Sequence, residues 1–493
     1  MISFKRPCRI VLAVVLVTSG LPDTDQASAN HAADMLPHVL IVMVDDMGYG
    51  DPECYNPESR IATPHIDSLA RDGMRFVDAH APAPLCHTSR YGLMTGRYPF
   101  RADVARWRQH AVIESDRTTI ASLLRARGYH TAMVGKWHLG FEEREYDAPW
   151  PGGPVDVGYE SFFGIRASTD IPPYFYIRNN RVVAPPTVPI ASNQSEGWSP
   201  IQGAFWREGY IAPGMKLADV LPRFTDEAIS VIKRHAAADG EREGRVPLML
   251  YLAFPAPHTP WLPAAEFTNK SKVGMYGDFM TMVDAMIGRV LGALDAADMA
   301  EDTLVIFASD NGPVWYQHDV ERFGHDSSGG LRGMKGDAWE AGHRMPFIVR
   351  WPGNVAPGSV SRQLVCYTDV LATLASIVGV HLADDEGPDS FDFSPQLLGE
   401  KSPPAHGRSS LVMKSAAGLM TVREGDWKLI AGLGSGGFSR PAKIEPAPGQ
   451  PVGQLYNLAN DLGETNNLYS ERPDVVSRLK QILAAVQTSE SKP

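Results

Sequence analysis

The clearest chemical signal in the sequence is the run Ala-Pro-Leu-Cys-His-Thr-Ser-Arg at residues 83–90. It predicts a loop that enters a short helix, with Cys86 at the helix N-terminus. There the helix dipole and the free N–H groups of the first turn favour a bound anion. Arg90 follows four residues later, one turn away on the same face. The segment therefore predicts an anion site with a cysteine and an arginine beside it.

Further polar clusters come directly after predicted strands. They are Asp45-Asp46, Lys136 with His138, His258, and Asp310-Asn311. One such cluster is routinely a helix cap or a turn. Four at equivalent strand ends would converge on one rim, where open α/β sheets bind their ligands. Three carboxylates and an amide would suit Ca²⁺ or Mg²⁺, and the lysine and histidine groups would face the other side of a bound anion.

The elements that must position these residues alternate along the chain. Apolar runs predict strands over residues 38–44, 130–134, 247–254, 303–309 and 345–351. Helical patterns cover residues 63–73, 119–127, 219–235, 276–298 and 367–378. The first strand is apolar throughout, which is typical of a strand buried on both faces of a parallel sheet. The alternation predicts an α/β fold with a large, mainly parallel or mixed sheet sandwiched by helices.

Composition divides the chain into four parts. We predict a signal peptide at residues 1–29, a main α/β domain at residues 30–383, a linker at residues 384–409 and a smaller α+β subdomain at residues 410–493. The subdomain has predicted strands at 419–422 and 427–431 and a helix at 473–486. Within the main domain, residues 141–215 are rich in Pro, Gly and aromatic residues. They predict an insertion over the sheet edge that forms a wall of the site.

The compartment follows from the N-terminus. A basic start, a short apolar run and Ala27-Ser28-Ala29 are typical of a cleaved export signal. The apolar run is far short of a membrane span. The mature protein is therefore predicted to be secreted or periplasmic and not membrane-spanning.

Charge and cysteine content exclude other classes of protein. The formal net charge of −11 argues against a nucleic-acid partner, because phosphate contacts need clustered Lys and Arg. Hydrophobic residues at 44% and charged residues at 21% match globular proteins rather than disordered ones. Four cysteines are too few for a disulfide scaffold, and their spacing leaves open whether Cys54 and Cys366 pair.

Taken in order, these motifs resemble the sulfatase family, specifically the arylsulfatase type of the alkaline phosphatase superfamily. The resemblance covers nearly the whole mature chain. Its strings are V-D-D-M-G-Y-G-D at 44–51, T-P-H-I-D-S-L-A at 63–70, C-H-T-S-R-Y-G-L-M-T-G-R-Y at 86–98, G-K-W-H-L-G at 135–140, P-H-T-P at 257–260, S-D-N-G at 309–312, L-R-G-M-K-G at 331–336 and L-Y-N-L-A-N-D at 455–461. Each string is weak alone, but their shared order makes chance agreement negligible.

The resemblance implies two cofactors. Cys86 matches the cysteine that a formylglycine-generating enzyme, the implied maturation partner, oxidises to formylglycine, whose hydrated aldehyde is the nucleophile. The implied ligands of one Ca²⁺ are Asp45, Asp46, Asp310, Asn311 and the modified Cys86 side chain.

The resemblance also implies roles for the remaining candidates. Arg90 and Lys136 match the residues that hold the aldehyde hydrate. His138 matches the base that takes the second hydroxyl proton and ejects sulfate. His258 and Lys335 match the pair that binds the sulfate and assists the leaving oxygen, and Lys136 would help them neutralise its charge.

The implied function is an exported, calcium-dependent sulfuric ester hydrolase acting on a sulfated small molecule or glycan. One alternative is a phosphodiesterase or phosphonate monoester hydrolase that shares the nucleophile. Another is a catalytically inactive protein that keeps the pocket to bind an anion or a glycan. A zinc phosphatase of the same superfamily is disfavoured, because ligands for a second metal have no evident counterpart. The sequence does not distinguish an aryl sulfate from a sulfated glycan.

One position departs from the family pattern. The signal for formylglycine formation is Cys-x-Pro-x-Arg, with Ala replacing Pro in some bacterial proteins, whereas Thr88 stands at the third position here. Thr is β-branched and favours an extended backbone, as Pro does. We therefore expect slower recognition and partial conversion of Cys86.

Overall fold

The structure of the chain is a computed structural model that describes Met1 and residues 36–240, 244–399 and 407–489. Apart from Met1, the predicted signal peptide lies outside the described residues, as do residues 400–406 of the predicted linker. None of the described helices combines the length and the apolar character needed to cross a bilayer.

The described residues form strands and helices in alternation. The strands are β1 (His38–Asp45), β2 (Met74–Phe76), β3 (Ala79–His80), β4 (His130–Lys136), β5 (Ser161–Ile165), β6 (Ile177–Arg178), β7 (Arg181–Val182), β8 (Val188–Ile190), β9 (Gly209–Ile211), β10 (Leu248–Pro257), β11 (Thr303–Ser309), β12 (Phe347–Arg350), β13 (Ser359–Ser361), β14 (Val365–Cys366), β15 (Ser410–Lys414), β16 (Met420–Glu424), β17 (Trp427–Ile430) and β18 (Gln454–Asn457). The α-helices are α1 (Pro64–Arg71), α2 (Cys86–Thr95), α3 (Ile120–Ala126), α4 (Val220–Asp239), α5 (Gly274–Asp295), α6 (Gln317–Phe323), α7 (Asp369–Ile377), α8 (Ser394–Leu397) and α9 (Pro473–Thr488).

Ten strands form one mixed sheet in the order β13-β2-β12-β11-β1-β10-β4-β5-β6-β7. Its centre, from β11 to β5, is parallel, with Val42 of β1 opposite both Leu252 and Phe307. Beyond β11, β12 is antiparallel. The predicted fold class, a large mixed sheet sandwiched by helices with a smaller C-terminal α+β part, is confirmed. Each predicted strand of this sheet is present, and its limits agree with the sequence to within three residues.

One face of the sheet packs on α1, α4 and α5, because these helices repeat apolar residues at helical spacing. The repeat in α5 is Met280, Val283, Ile287, Val290 and Leu294. All five are buried, and they share one core cluster with Leu40, Val42 and Val44 of β1. Burying a side chain of this size contributes about 1.5–3 kcal/mol, so this core fixes β1 and the residues that follow it.

Residues 141–215 contain more regular structure than the sequence indicates. Within them, β5 pairs with β4 in parallel, and β6 and β7 continue the sheet. The signal is weak because β5 has only five residues and includes Gly164, which is rare in strand interiors. A Cβ at Gly164 would meet the Gly135 carbonyl oxygen at 1.8 Å, so glycine permits the close approach of the two strands.

The C-terminal region is a four-stranded antiparallel sheet, in the order β15-β16-β17-β18, with α9 packed on it. The predicted elements at 419–422, 427–431 and 473–486 are confirmed as β16, β17 and α9. The short strands β15 and β18 were not predicted. Cys54 and Cys366, whose pairing the sequence leaves open, are separate free thiols.

Buried ion pairs tie this C-terminal sheet to the loop that carries Lys335. Lys428 Nζ on β17 lies 2.9 Å from Glu340 Oε1 and 2.8 Å from Glu464 Oε1. Glu340 stands five residues after Lys335. Removing one partner of a buried pair leaves an uncompensated charge, which is strongly destabilising. The C-terminal sheet therefore helps to fix residues 331–344 beside the ends of the central strands.

Candidate active site

The carboxyl ends of β1 and β11 form the floor of the site. The two strands are parallel neighbours, with Val44 opposite Ser309. The Met47 N–H donates to Ser309 Oγ at 3.0 Å, and Asp46 has a left-handed backbone with φ of 66°. The turn after β1 is therefore fixed against the end of β11, which brings Asp45-Asp46 beside Asp310-Asn311.

Arg90 and Lys136 reach this floor from two other elements. Arg90 lies in α2, one turn after Cys86, and donates from Nε and Nη2 to Asp310 Oδ2 at 3.0 and 2.8 Å. Its Nη2 also lies 3.6 Å from Asp45 Oδ2. Lys136 ends β4, and its Nζ donates to the same Asp45 oxygen. All four side chains are buried, so each charge acts in a low-dielectric environment.

Cys86 begins α2 at the bottom of a cavity and is only 4% exposed. Lys335 Nζ lies 3.2 Å from its Sγ and 2.5 Å from Asp46 Oδ1. Burial, with the Asp45 charge, raises the pKa of the Cys86 thiol well above its ordinary value. The unmodified thiol therefore stays protonated, which disfavours a thiolate nucleophile.

The carboxylate rim, which we define as Asp45, Asp46, Asp310 and Asn311 at the floor of the site, contains oxygens that accept no hydrogen bond from the described residues. Asp45 Oδ1 and Asn311 Oδ1 are buried and have no hydrogen-bond partner within the described residues. Ligand atoms of Asp45, Asp46, Cys86 and His258 lie within 4.8 Å of one another. A buried acceptor without a donor is costly, and carboxylate and amide oxygens suit a hard cation such as Ca²⁺. The residues present therefore fit a divalent metal.

The pKa values of the rim carboxylates also favour a bound cation. Burial would raise the pKa of Asp45, but Lys136, His258 and Arg90 hold it far below its usual range. Burial and the resulting Asp45 charge raise the pKa of the neighbouring Asp310 to about 6. The two carboxylates thus compete for the same basic side chains, and a bound cation would relieve that competition.

His138 faces the cavity without a polar partner. Both ring nitrogens are buried and lack hydrogen bonds within the described part of the chain. The ring packs edge-on to Trp107, with the two centroids 4.2 Å apart. Burial first, and then the Lys136 charge, hold the pKa of His138 well below its ordinary value. The imidazole is therefore neutral at physiological pH and free to accept a proton.

His258 also lines the cavity and follows β10 directly. Its Nε2 lies 3.7 Å from Asp46 Oδ2, and its Nδ1 lies 3.8 Å from Asp170 Oδ1. Asp170 belongs to the 141–215 segment, so that segment does reach the cavity. The structure thus gathers all ten sequence-predicted site residues around the end of the sheet.

The cavity has a volume of about 250 Å³. Its walls include side chains to which sequence reasoning gave no role: His87, Trp107, Arg108, Asp170, Arg207 and Phe438. His87 could have been found as the neighbour of Cys86 in the first turn of α2. The others lie in loops or on a five-residue 3₁₀ helix, where little periodicity indicates the direction of a side chain.

Comparison with known proteins identifies the family of the chain. The sulfatase family model matches residues 37–380. The chain is 32% identical to N-acetylgalactosamine-6-O-sulfatase of Bacteroides thetaiotaomicron, over 92% of this chain and 93% of the relative. It is 33% identical to arylsulfatase A of Homo sapiens, over 90% of this chain and 87% of the relative.

Structural comparison agrees. A solved protein from work on the metabolism of multiple glycosaminoglycans by Bacteroides thetaiotaomicron superposes with a TM-score of 0.80 at 30% identity, covering 92% of this chain and 100% of that one. The chain therefore belongs to the sulfatase family, whose members are sulfuric ester hydrolases. The resemblance seen in the sequence motifs is confirmed.

Proposed function

We propose that this chain is an exported, calcium-dependent sulfatase that cleaves sulfate monoesters with a formylglycine made from Cys86. The observation that carries the proposal is the Lys335 ammonium, which contacts both Cys86 Sγ and Asp46 Oδ1 at the cavity floor. A basic side chain between the cysteine and the carboxylate rim suits a site that binds a cation and an anion side by side. The export part rests on the sequence of residues 1–29, outside the described residues.

The proposed cofactors would act where the donor atoms converge. Asp45, Asp46, Asp310 and Asn311 would hold the Ca²⁺, with the side chain at position 86 beside it. When bound, the ion supplies positive charge that polarises the sulfate oxygens. A formylglycine at position 86 would supply a hydrated aldehyde as nucleophile, whose second hydroxyl would allow sulfate release without attack of water on sulfur.

The remaining residues supply charge and proton transfer. Lys136 and Lys335 are buried cations that offset the charge of a bound sulfate, and in a desolvated site this stabilisation is strong. His258 is 12% exposed at the side chain and faces the cavity, where it can donate a proton to the leaving oxygen. His138 is neutral and unpaired, and accepts the proton whose removal releases the product.

The volume of the cavity limits the size of the substrate group that it can hold. About 250 Å³ is smaller than most ligand pockets, which run from roughly 300 to 1,000 Å³. A single ring with its sulfate ester fits this space, and the remainder of a larger substrate would lie outside. We propose a sulfated sugar as substrate, in line with the N-acetylgalactosamine-6-O-sulfatase relative.

Initial rates on three nitrophenyl esters test the reaction type. The purified protein is expected to cleave 4-nitrophenyl sulfate faster than 4-nitrophenyl phosphate and bis(4-nitrophenyl) phosphate, and Cys86→Ala is expected to remove the activity. A faster rate on the diester would favour the phosphodiesterase alternative. Binding of sulfated sugar without turnover of any ester would favour the binding-protein alternative.

Substitution of Thr88 tests the conversion of Cys86 to formylglycine. In the folded chain the Thr88 hydroxyl donates to the Leu85 carbonyl at 2.8 Å, and Cys86 is buried in a helical turn. Conversion must therefore precede folding, while the segment is extended. Proline is tolerated in a first helical turn, where the N–H has no intrahelical acceptor. We expect Thr88→Pro to raise the converted fraction of Cys86, with activity rising in proportion.

Peptide mapping by mass spectrometry measures this fraction for protein recovered from its export pathway. Thr88→Val is the matched control, because it removes the hydroxyl and keeps the β-branched shape, and should convert like the wild type. An unmodified Cys86 thiol in all three proteins, with full activity, would contradict the formylglycine proposal.

A further inference from the structure

The mouth of the cavity carries two guanidinium groups that differ in their pairing. Arg207 and Arg108 both line the cavity. Arg207 Nη1 donates to the Asp170 carboxylate, so an acidic partner compensates its charge. The Arg108 side chain makes no hydrogen bond or ion pair with any residue that the structure describes. One positive charge at the mouth is thus uncompensated.

Packing holds this free charge in place. The Arg108 Cζ lies 5.1 Å from the centroid of the Trp107 ring, and Trp107 is 6% exposed. The same ring packs on His138, so Trp107 contacts both Arg108 and the proposed base. A cation over a tryptophan face is attracted by the negative charge density of the ring face. The guanidinium is therefore held near the reacting centre.

The surroundings of Arg108 are electropositive. Lys335 and Arg207 line the same cavity, and Lys136 is buried at its floor. The chain as a whole carries a charge of −11, so a substrate with several anionic groups is repelled from most of its surface. An unpaired arginine at the mouth locally offsets that repulsion.

We propose that Arg108 binds a second anionic group of the substrate, a carboxylate or a second sulfate beside the sulfated ring. This inference rests on the proposed sulfatase function and narrows its substrate to polyanionic sugars. The planar guanidinium offers paired N–H donors that match two oxygens of either group. A neutral aryl sulfate offers no such group to Arg108.

The test compares substrates that differ only in that second charge. The set is N-acetylgalactosamine 6-sulfate, the same sugar linked to a hexuronic acid, that disaccharide with its carboxyl reduced to an alcohol, and the 4,6-disulfated monosaccharide. If the second anion is a carboxylate, we expect kcat/KM to be about tenfold higher for the disaccharide acid than for its reduced form. If it is a sulfate, we expect the same ratio between the disulfated and the monosulfated monosaccharide. Whichever pair shows the difference identifies the second anion as carboxylate or sulfate.

Arg108→Gln is expected to abolish that tenfold ratio. Arg106→Gln is the matched control, because Arg106 lies on the same short 3₁₀ helix, is 59% exposed and pairs loosely with Asp103 at 3.9 Å. It removes the same charge without lining the cavity and should keep the ratio. Equal ratios for the two variants, or no preference in the wild type, would overturn the proposal.

Binding separates this proposal from the reaction itself. Titration calorimetry on Cys86→Ala, with and without Arg108→Gln, measures the same preference in the absence of turnover. A preference that depends on Arg108 supports the inference even if no ester is cleaved, whereas cleavage of 4-nitrophenyl sulfate without such a preference refutes the inference and leaves the sulfatase proposal standing.

Discussion

Asp45→Asn is expected to lower kcat/KM for 4-nitrophenyl sulfate by about a hundred- to a thousandfold, the scale of losing one electrostatic element of an active site. The substitution removes a full charge from the rim and keeps the size of the side chain. Asp45 Oδ2 contacts Lys136, and Oδ1 is a buried oxygen without a partner among the described residues. Both the proposed Ca²⁺ and the lysine therefore lose their counter-charge.

Metal content and rescue measure this effect. Bound calcium is expected to fall in the variant, by inductively coupled plasma mass spectrometry, and added Ca²⁺ should restore part of the activity. Asp72→Asn is the matched control, because this half-exposed carboxyl lies on the surface and pairs with Arg71. Full activity in Asp45→Asn, or in wild-type protein stripped with a chelator, would show that the metal assignment is wrong.

Much of the fold is predictable from local patterns. The run at 38–44 is apolar after its first residue and is followed by two carboxylates, and the mainly apolar run at 303–309 is followed by Asp310-Asn311. Since parallel strands end at one edge of a sheet, the two polar pairs are expected at the same edge. The structure places them as neighbours because β1 and β11 pair directly.

The remaining features depend on long-range packing. Lys335 and Cys86 are in contact although they are 249 residues apart in the sequence, and only the family resemblance linked them. Trp107 and Arg108 lie on a 3₁₀ helix of five residues, which is too short for its pattern to predict a buried face. The sequence does not predict the strand β5, because it is short and includes Gly164. This glycine allows the close approach to Gly135, which only the structure shows.

His138→Ala is expected to lower kcat by about a hundred- to ten-thousandfold, the usual contribution of a general base. The proposed role of His138 is to accept a proton after the ester bond has broken. Stopped-flow assays of the variant on 4-nitrophenyl sulfate should therefore show a burst of nitrophenol, stoichiometric with active enzyme, before a slow steady state. His87→Ala is the control from the same cavity, with the two ring centroids 5.5 Å apart, and should lose less activity and show no burst.

The pH dependence of the wild type tests the same assignment. A base works in its neutral form, so kcat should fall as pH drops through the pKa of His138 and stay level above it. Burial and the Lys136 charge hold the pKa of His138 well below the ordinary 6.5 of a histidine. His138 should then impose no loss of kcat between about pH 6.5 and 8, with its acid limb lying below that range. An acid limb centred near pH 6.5 that disappears in His138→Ala would mean that the imidazole is more solvated than its burial implies.

A His138→Ala variant without a burst would mean that bond cleavage itself, rather than product release, depends on this residue.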